Sequence, residues 1–398
     1  MLTEFSAAFL VSPKSEPLIR EASSLASDAV DGLRAITRLR SLASPEFAAA
    51  AWDLALLRRR AAAKLGSESA FLYFDRDGYE MASSAACSAY HAAALRRAGA
   101  EHVFDPCAGI GIDACRMARE GIRVTACERD PARAIYARAN AAALGVAHRV
   151  EIVAADATTV PVPSDAGFAF FDPARRDDQR KRIVTAGDLV PPLSFLDRLK
   201  AGGVHSVLAK LSPAIERDLG ADYGGEIEFI SDAGECKEAL LRTGDLRTGD
   251  AVSARLLVSG SRIAAPAPSA PVREEAFGYL YEPDPAVIRA GLTGHVVAAV
   301  DGWLLDPHIA YVFSDRYAPT PLASAYKIEC GFPYHLKRLR QELLARNASQ
   351  VIVKRRGFPE EPDAVRKQLK LKGAGEVRIV VLTRCGDRLW AMIVQRAG

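Results

Sequence analysis

The sequence predicts an α/β fold: a parallel sheet with helices on both faces, a helical region before it and a small α+β domain after it. Three observations support this prediction. Short apolar strands alternate with helical segments between residues 98 and 262. A glycine turn joins the first of these strands to its helix. A stretch rich in Ala and Pro then separates this region from a basic C-terminal part.

The composition is that of a globular protein with more than one domain. At 398 residues, the chain is long enough for two or three domains, each with its own core. No run of residues approaches the roughly 20 apolar positions of a membrane span, and the first residues lack the charged-then-apolar order of a signal peptide. Seven cysteines and seven histidines are scattered without a C-x-x-C pair. We therefore expect reduced thiols, no metal site and a cytoplasmic protein.

Residues 1–97 are predicted to be helical. Ser44 and Pro45 form an N-cap followed by proline at the first helical position, and Gly66 ends that helix. Another helix is expected at about 83–98. Because no constellation of catalytic side chains occurs here, we expect this region to cover the core or to shape the substrate entrance.

The stretch 102–113 organises the chain. A buried strand ends at Asp105, and Gly109 and Gly111 form a turn before the next helix. Without Cβ atoms, such a turn lets an adenosine-bearing ligand approach the backbone closely. Cys107 lies in the same turn and is counted with its ligand-binding residues. Because Gly-x-Gly turns also serve plain strand-to-helix packing, the turn alone is a weak signal.

Six further strands are expected after the first one. They span Arg123–Cys127, Val150–Val153, Phe168–Phe171, Val204–Ala209, Glu226–Ile230 and Ala251–Val258. Helices between them, one starting at Asp130 and Pro131 and another capped by Ser212, are expected to cover both faces of the sheet. Between the last two strands, the pentapeptide Leu-Arg-Thr-Gly-Asp occurs twice in tandem at 241–250, which indicates a lengthened loop.

Carboxylates follow four consecutive strands, at the edge where open α/β sheets bind ligands. Glu128 is placed to accept hydrogen bonds from ribose hydroxyls and Asp156 from an adenine amine, and Asp172 follows the fourth strand. Asp105 suits a cationic amino-acid tail and is awkward for a pyrophosphate, which favours S-adenosylmethionine (SAM) over a dinucleotide. The dinucleotide alternative stays open, because the run 109–114 satisfies the looser Gly-x-Gly-x-x-Ala fingerprint.

On these residues the chain resembles the class I SAM-dependent methyltransferases. The run 105–111 resembles their first motif, Glu128 their ribose acid, Asp156 their adenine acid, and 172–175 (Asp-Pro-Ala-Arg) their fourth motif. The resemblance implies a Rossmann-like, seven-stranded methyltransferase core with SAM as cofactor.

A narrower resemblance is to an uncharacterised bacterial group with a C-terminal THUMP-like domain. It covers most of the chain from about residue 45 and is carried by four stretches: Phe171–Arg176, Lys210–Pro213, Tyr281–Asp284 and Val353–Gly357. THUMP domains bind tRNA and related RNAs, so this resemblance implies RNA as a partner.

The fourth motif and the fifth strand supply the candidate catalytic residues. Asp172 is expected to orient or deprotonate the methyl acceptor. Arg175 is expected to clamp a phosphate or to form a salt bridge, and Lys210 to point into the cleft or to pair with Asp172. Asp-Pro-x-Arg is closer to the fourth motif of the 5-methyluridine RNA methyltransferases than to that of the amino-group methyltransferases. The 5-methyluridine enzymes need a cysteine nucleophile just after the fifth strand. Since 210–213 reads Lys-Leu-Ser-Pro, we expect direct transfer, which depends mainly on proximity and geometry.

The C-terminal part is basic. Residues 333–398 contain 15 Lys and Arg against 6 Asp and Glu, a net charge of +9 that leaves −6 for residues 1–332. This distribution suggests a polyanionic partner, and a well-solvated domain that only packs against the core explains it nearly as well. The candidate RNA-binding residues are Lys337, Arg338, Lys354, Arg355, Arg356 and Lys370.

The expected domain order is a helical region at 1–97, a methyltransferase core at 98–262 and a linker at 263–273. A small ferredoxin-like segment at 274–322 and a THUMP-like domain at 323–398 follow, the latter with the order strand, helix, strand, helix, strand, strand. The predicted function is SAM-dependent methyl transfer to RNA, either tRNA or rRNA. Three alternatives remain open: a methyltransferase of a small molecule or protein, a non-catalytic RNA-binding protein with the same fold, and a dehydrogenase.

Overall fold

The structure is a computed structural model that describes residues 2–28, 30–175 and 189–398, with Arg175 described for its backbone only. The chain divides into two compact units. Unit 1 comprises Met1–Ile227 and Glu238–Gly249, and unit 2 comprises Glu228–Lys237 and Asp250–Gly398.

Unit 1 begins with the predicted helical region. Before the first strand, the described residues form the helices α1 (Glu4–Leu10), α2 (Glu16–Ser27), α3 (Gly32–Arg40), α4 (Pro45–Leu65), α5 (Arg76–Met81) and α6 (Ala85–Arg97). The predicted limits of α4 are confirmed: the Ser44 hydroxyl accepts a hydrogen bond from the Phe47 N–H at 3.3 Å, and Gly66, with φ of 73°, ends the helix. Ser84 caps α6 in the same way through the Cys87 N–H at 3.2 Å.

These helices pack onto the start of the sheet region. Their core includes Leu10, Leu39 and Trp52, and it is continuous with Ile110 of the glycine turn and with Tyr136 of the helix that follows the second strand. Burial of apolar side chains therefore holds the N-terminal region against the glycine turn and the helix after the second strand.

The next strands in chain order are β1 (His102–Asp105), β2 (Arg123–Cys127), β3 (Val150–Val153), β4 (Phe168–Phe171), β5 (Ala174–Arg175), β6 (Leu189–Val190), β7 (Ser206–Leu211), β8 (Glu226–Asp232) and β9 (Glu235–Arg242). The helices among them are α7 (Ile112–Arg119), α8 (Pro131–Ala143), α9 (Phe195–Ala201) and α10 (Leu219–Asp222). In unit 1 the sheet order is β3-β2-β1-β4-β7-β9. All of these neighbours are parallel except β9, which runs antiparallel to β7.

Strand β9 was not predicted from the sequence, and its last residues, Leu241 and Arg242, were expected in a lengthened loop. Residues 239–242 of β9 align with 208–211 of β7. The local sequence does not indicate this strand, because residues 238–242 contain no β-branched residue and overlap the start of the tandem repeat. The second repeat is a loop held by the buried Glu226, which accepts hydrogen bonds from the Thr248 N–H at 2.6 Å and the Gly249 N–H at 2.7 Å.

The fifth parallel strand also ends later than predicted. Lys210 lies within β7 rather than after it. No helix starts at Ser212, whose hydroxyl instead accepts a hydrogen bond from the Ala214 N–H at 3.3 Å in a turn. The short α10 follows only at Leu219.

Unit 2 contains most of β8, the first residues of β9 and the elements that follow residue 250. These are β10 (Val252–Leu256), β11 (Ser261–Ala264), β12 (Tyr279–Pro283), α11 (Pro285–Arg289), α12 (Thr293–Val300), β13 (Trp303–Leu304), β14 (Val312–Ser314), β15 (Ala323–Pro333), α13 (Leu336–Ala345), β16 (Ala348–Arg355), α14 (Pro362–Leu369), β17 (Glu376–Cys385) and β18 (Arg388–Ala397). A seven-stranded sheet has the order β13-β14-β12-β15-β18-β17-β16. The predicted order from β15 to β18 is confirmed, and the three strands of 274–322 continue the same sheet.

Each face of this sheet carries a hydrophobic core. One core joins Leu339 and Leu343 of α13 and Val365 and Leu369 of α14 to the strands. The other joins Trp303, Phe313 and neighbouring side chains to β17 and β18. The expected linker is tightly packed at Pro268, because a Cβ atom on Gly294 of α12 would come within 1.9 Å of the Pro268 carbonyl oxygen.

Candidate active site

The glycine turn after β1 begins at a buried carboxyl group. Asp105 is 1% exposed, and its Oδ1 accepts a hydrogen bond from the Cys107 N–H at 3.0 Å. Burial raises the pKa of Asp105 well above its usual range, and the nearby Asp113 and Asp172 carboxylates add to this rise. A buried acid surrounded by other acids is suited to a cationic ligand group, which would stabilise its ionised form.

The two glycines of the turn have different roles. Both adopt left-handed backbone conformations, with φ of 54° at Gly109 and 80° at Gly111. A Cβ atom on Gly111 would lie 3.2 Å from the Cβ of Ala137, so Gly111 allows α7 to pack against α8. A Cβ atom on Gly109 would meet nothing within 4 Å, so open space lies beside the turn there. Gly109 is thus the position at which a ligand can approach the backbone.

Glu128 lies directly after β2, beside this turn. Its Oε1 accepts a hydrogen bond from the Asp130 N–H at 2.8 Å. Burial raises the pKa of Glu128, and the Asp130 and Gly109 N–H groups near its carboxylate oppose this rise. The pairing of β1 with β2 therefore brings the turn and the predicted ribose acid together.

Asp156 is in a different environment. It is exposed, and it accepts hydrogen bonds from the Thr158 N–H at 2.8 Å and the Thr158 hydroxyl at 2.7 Å, which lower its pKa. It caps a turn three residues beyond the end of β3.

Asp172 and Lys210 form an ion pair. Phe171 aligns with Ala209 on the neighbouring parallel strand, so Asp172 and Lys210 are the next residues on the two chains. Lys210 Nζ lies 2.7 Å from Asp172 Oδ2, and both side chains are largely covered, at 15% and 27% exposed. Burial lowers the pKa of Lys210, but Asp172 and the other nearby carboxylates outweigh it and raise that pKa, so the lysine stays protonated.

The N-terminal region supplies two further partners of this lysine. Lys210 Nζ donates to the Ser83 hydroxyl at 3.1 Å and to the Met81 carbonyl at 3.3 Å. Ser83 lies between α5 and α6 and was not singled out from the sequence. Of the two expectations for Lys210, pairing with Asp172 is the one observed.

The third predicted catalytic residue, Arg175, is described for its backbone only. The backbone of Arg175 belongs to the short strand β5, and its side chain lies outside the described part of the chain, as do all atoms of 176–188.

Sequence reasoning also missed a buried cluster behind Asp172. His91 on α6 lies between Asp113 on α7 and Glu238 on β9, with ring nitrogens 2.8 Å and 2.5 Å from the two carboxylates. One signal was present: His91 is four residues from both Cys87 and Leu95, which places it on the buried stripe of α6. In the described residues, no group of three or more His, Cys, Asp or Glu side chains has the arrangement of a metal site.

The predicted RNA-binding residues of unit 2 fall into two sets. Lys354 lies 2.5 Å and Arg356 3.7 Å from the carboxylate of Glu282, and Arg355 pairs with Glu361. The two contacts of Glu282 join two of the stretches that carry the narrower family resemblance, 281–284 and 353–357.

The other set is solvent-exposed. Lys337, Arg338 and Lys370 are exposed and make no ion pair with any residue that the structure describes. Arg338 lies over the ring of Phe332, with its guanidinium carbon 4.3 Å from the ring centroid. The charge of this second set is therefore more available to a partner than that of the first.

Nothing in the described helices meets the length and hydropathy needed to cross a bilayer.

Comparison with known proteins identifies relatives across most of the chain. The sequence is 34% identical over 344 residues to an uncharacterised S-adenosylmethionine-dependent methyltransferase of Mycobacterium tuberculosis, found in strains CDC 1551 / Oshkosh and H37Rv. The match covers 84% of this chain and 92% of that protein. A family model described as THUMP domain-like matches residues 323–396, and one described as a domain of unknown function (DUF8688) matches residues 5–61.

The fold has a close counterpart among solved structures. A crystal structure from Porphyromonas gingivalis W83, assigned as a methyltransferase, superimposes with a TM-score of 0.73 at 24% sequence identity. It covers 89% of this chain and 92% of that one.

Proposed function

Because the chain belongs to the S-adenosylmethionine-dependent methyltransferases, we propose that it methylates RNA by direct transfer to an acceptor held at Asp172. The observation that carries this proposal is the THUMP domain-like match at 323–396, a region of strong positive charge joined to a methyltransferase core. Phosphate contacts made by Lys and Arg supply much of the affinity for nucleic acids.

SAM is the cofactor, and when bound it supplies a methyl group already activated on a sulfonium. We assign Asp105 to its amino-acid end and Glu128 to its ribose. Between these two contacts, the cofactor is expected to lie against the backbone at Gly109. This assignment is supported by the open space beside Gly109 and by the Gly109 N–H, which lies near the Glu128 carboxylate and lowers its pKa. Asp156, exposed and three residues beyond β3, is the assigned adenine partner.

Asp172 is the assigned partner of the methyl acceptor. Burial raises the pKa of Asp172, and the pairing with protonated Lys210 opposes this effect and favours the ionised form, which can accept a hydrogen bond from an acceptor N–H or O–H group. Such an interaction orients the attacking atom, which is the main requirement of direct transfer.

The surroundings of Asp172 support transfer without a covalent enzyme intermediate. Lys210 and Leu211 end β7 where a cysteine nucleophile is required by the covalent mechanism. Cys107 is the cysteine of the glycine turn, and burial together with the Asp105 carboxylate raises its pKa well above the usual range. A thiol in that state is a poor nucleophile at neutral pH.

The exposed basic set in unit 2, Lys337, Arg338 and Lys370, is the proposed RNA contact. Lys354, Arg355 and Arg356 remain candidates, but their carboxylate partners compete with phosphate. Replacing the exposed set by alanine should weaken RNA binding of the full chain and flatten its salt dependence, at a log–log slope of roughly 0.7 per lost contact on single strands. Replacing the paired set should instead lower the unfolding temperature.

Transfer of labelled methyl groups tests the proposal. Bulk RNA, protein and small-molecule extracts from cells lacking the gene are each incubated with methyl-labelled SAM and either the wild type or Asp172→Asn. We expect label in the RNA fraction with the wild type and a loss of at least about 100-fold with the variant, the scale of a misplaced reacting group. Label in protein or small molecules supports the other acceptor classes. RNA binding without label, at full SAM affinity, supports a non-catalytic RNA-binding protein.

A further inference from the structure

His91 is fully buried in unit 1. Its Nδ1 lies 2.8 Å from Asp113 Oδ1 and its Nε2 lies 2.5 Å from Glu238 Oε1. The ring also contacts Phe170 of β4, with 5.1 Å between ring centroids. Three elements that do not adjoin in sequence, α6, α7 and β9, therefore meet at this one imidazole.

The geometry fixes the charge of the ring. A neutral imidazole has one N–H donor, so it can donate to only one of two carboxylates, whereas the imidazolium donates to both. Burial by itself lowers the pKa of His91, but Glu238 and Asp113 outweigh this effect and raise the pKa to about 10. His91 is thus a cation between two anions throughout the neutral pH range.

Polar contacts connect this cation to the ion pair at the sheet edge. The Ser83 hydroxyl lies close to Asp113 and lowers the pKa of that carboxyl. The same hydroxyl accepts a hydrogen bond from Lys210 Nζ at 3.1 Å, and Lys210 binds Asp172 at 2.7 Å.

Lys210 therefore has three anions within reach of its charge: Asp172, Asp113 and Glu238. His91 is the cation that lies between the last two of them. If that cation is removed, Asp113 and Glu238 attract Lys210 more strongly, in competition with Asp172. A buried carboxylate that loses its cation also tends to take up a proton.

We propose that His91 is a positioning residue for methyl transfer: because it binds Asp113 and Glu238, Lys210 remains paired with Asp172 and holds that carboxylate in place. The inference rests on the proposed role of Asp172. His91 should also affect SAM binding, because it pairs with Asp113, and the charges of Asp113 and Asp172 raise the pKa of Asp105, the residue assigned to the amino-acid end of SAM.

The decisive variant is His91→Gln, which keeps a polar side chain of similar size and removes the cation. His91→Gln/Glu238→Gln removes one positive and one negative charge together and serves as the matched rescue. Ser83→Ala interrupts these polar contacts without changing a buried charge, so it remains informative if His91→Gln folds poorly. For each protein we would measure the SAM dissociation constant by calorimetry, and kcat and KM on RNA, between pH 6.0 and 9.0.

The expected results depend on the proton that Asp113 or Glu238 takes up in His91→Gln. At pH 6.0 protonation of Asp113 or Glu238 replaces the missing charge, and His91→Gln resembles the wild type. Towards pH 9.0 both carboxylates ionise and add negative charge near Asp105. SAM, whose sulfonium and ammonium groups are cationic, should then bind at least about threefold more tightly than to the wild type, within the tenfold per unit that one linked proton allows. The fall in kcat should exceed the change in KM, the double variant should recover most of both, and Ser83→Ala should lower kcat alone.

A defect of equal size at every pH, with no recovery in the double variant, would overturn the proposal and leave His91 as a structural ion pair. If no RNA is methylated even by the wild type, the proposed function fails. The pH dependence of SAM binding still decides the role of His91 in that case.

Discussion

At the residue scale, Glu128 offers the most direct test of the cofactor site. Gly111 is less suitable, because a side chain there would collide with Ala137 of α8 and disturb packing as well as binding. Glu128→Ala removes charge-assisted hydrogen bonds worth about 1.5–3 kcal/mol, so the SAM dissociation constant should rise at least about tenfold. Calorimetric titration measures this, with Glu120→Ala, an exposed acid at the end of α7, as the control. Unchanged affinity in Glu128→Ala would remove Glu128 from the site.

The raised pKa of His91 also predicts how the free energy of unfolding depends on pH. Its pKa in the folded chain, about 10, lies above the ordinary value of 6.5. Its contribution to stability is therefore complete below about pH 6.5 and is lost as the pH rises through about 10, by at most about 1.4 kcal/mol per unit. Urea unfolding at pH 6.5 and 9.5 should show a larger loss for the wild type than for His91→Gln. Equal losses in the two proteins would contradict a raised pKa.

At the scale of elements, Asn140 ties the N-terminal helical region to the glycine turn. This fully buried side chain on α8 accepts from the Tyr73 N–H at 2.7 Å and donates to the carbonyls of Tyr73 at 3.1 Å and Ile110 at 2.9 Å. Asn140→Ala leaves these backbone groups without partners and should cost about 3 kcal/mol of unfolding free energy.

Asn140→Ala should also weaken SAM binding, because Ile110 lies in the glycine turn, between Gly109 and Gly111. Chemical denaturation gives the first quantity and calorimetry the second, with the exposed Ala142→Ser on the same helix as control. A variant that loses stability but keeps full SAM affinity would show that the tie is not needed to shape the turn.

At the scale of the whole molecule, the THUMP domain-like region does not contain its own complete core. Val381, Met392 and Val394 of β17 and β18 are buried in one cluster with Leu280 and Trp303, which precede residue 323. A fragment that starts at Ala325 exposes this apolar face, so it should aggregate or unfold without cooperativity.

A fragment that starts at Pro271 should fold cooperatively, because it keeps β12–β14 and the hydrogen bond from the Leu304 N–H to the Pro271 carbonyl at 2.9 Å. Thermal unfolding followed by circular dichroism distinguishes the two fragments. Cooperative unfolding of the shorter fragment at the same temperature would show that β15–β18 suffice. RNA-binding measurements are accordingly best made on the full chain.

The sequence by itself determined the features that depend on local chemistry. Residues 44, 45, 66 and 111 act through caps and left-handed turns, which short stretches encode. The alternation of apolar strands and helices placed Asp105, Glu128 and Asp172 at strand ends, because strand direction in such folds follows from short-range order. The family resemblance rested on the same residues.

Only the tertiary structure decided which distant groups meet. The pairing of β7 with β9 brings Glu238 to His91, although 146 residues separate them in the chain. Lys354 and Arg356 appeared available for RNA until the sheet placed them beside Glu282. Contacts of this kind depend on strand order and on the desolvation of paired charges. Neither is encoded in the spacing of residues along the chain.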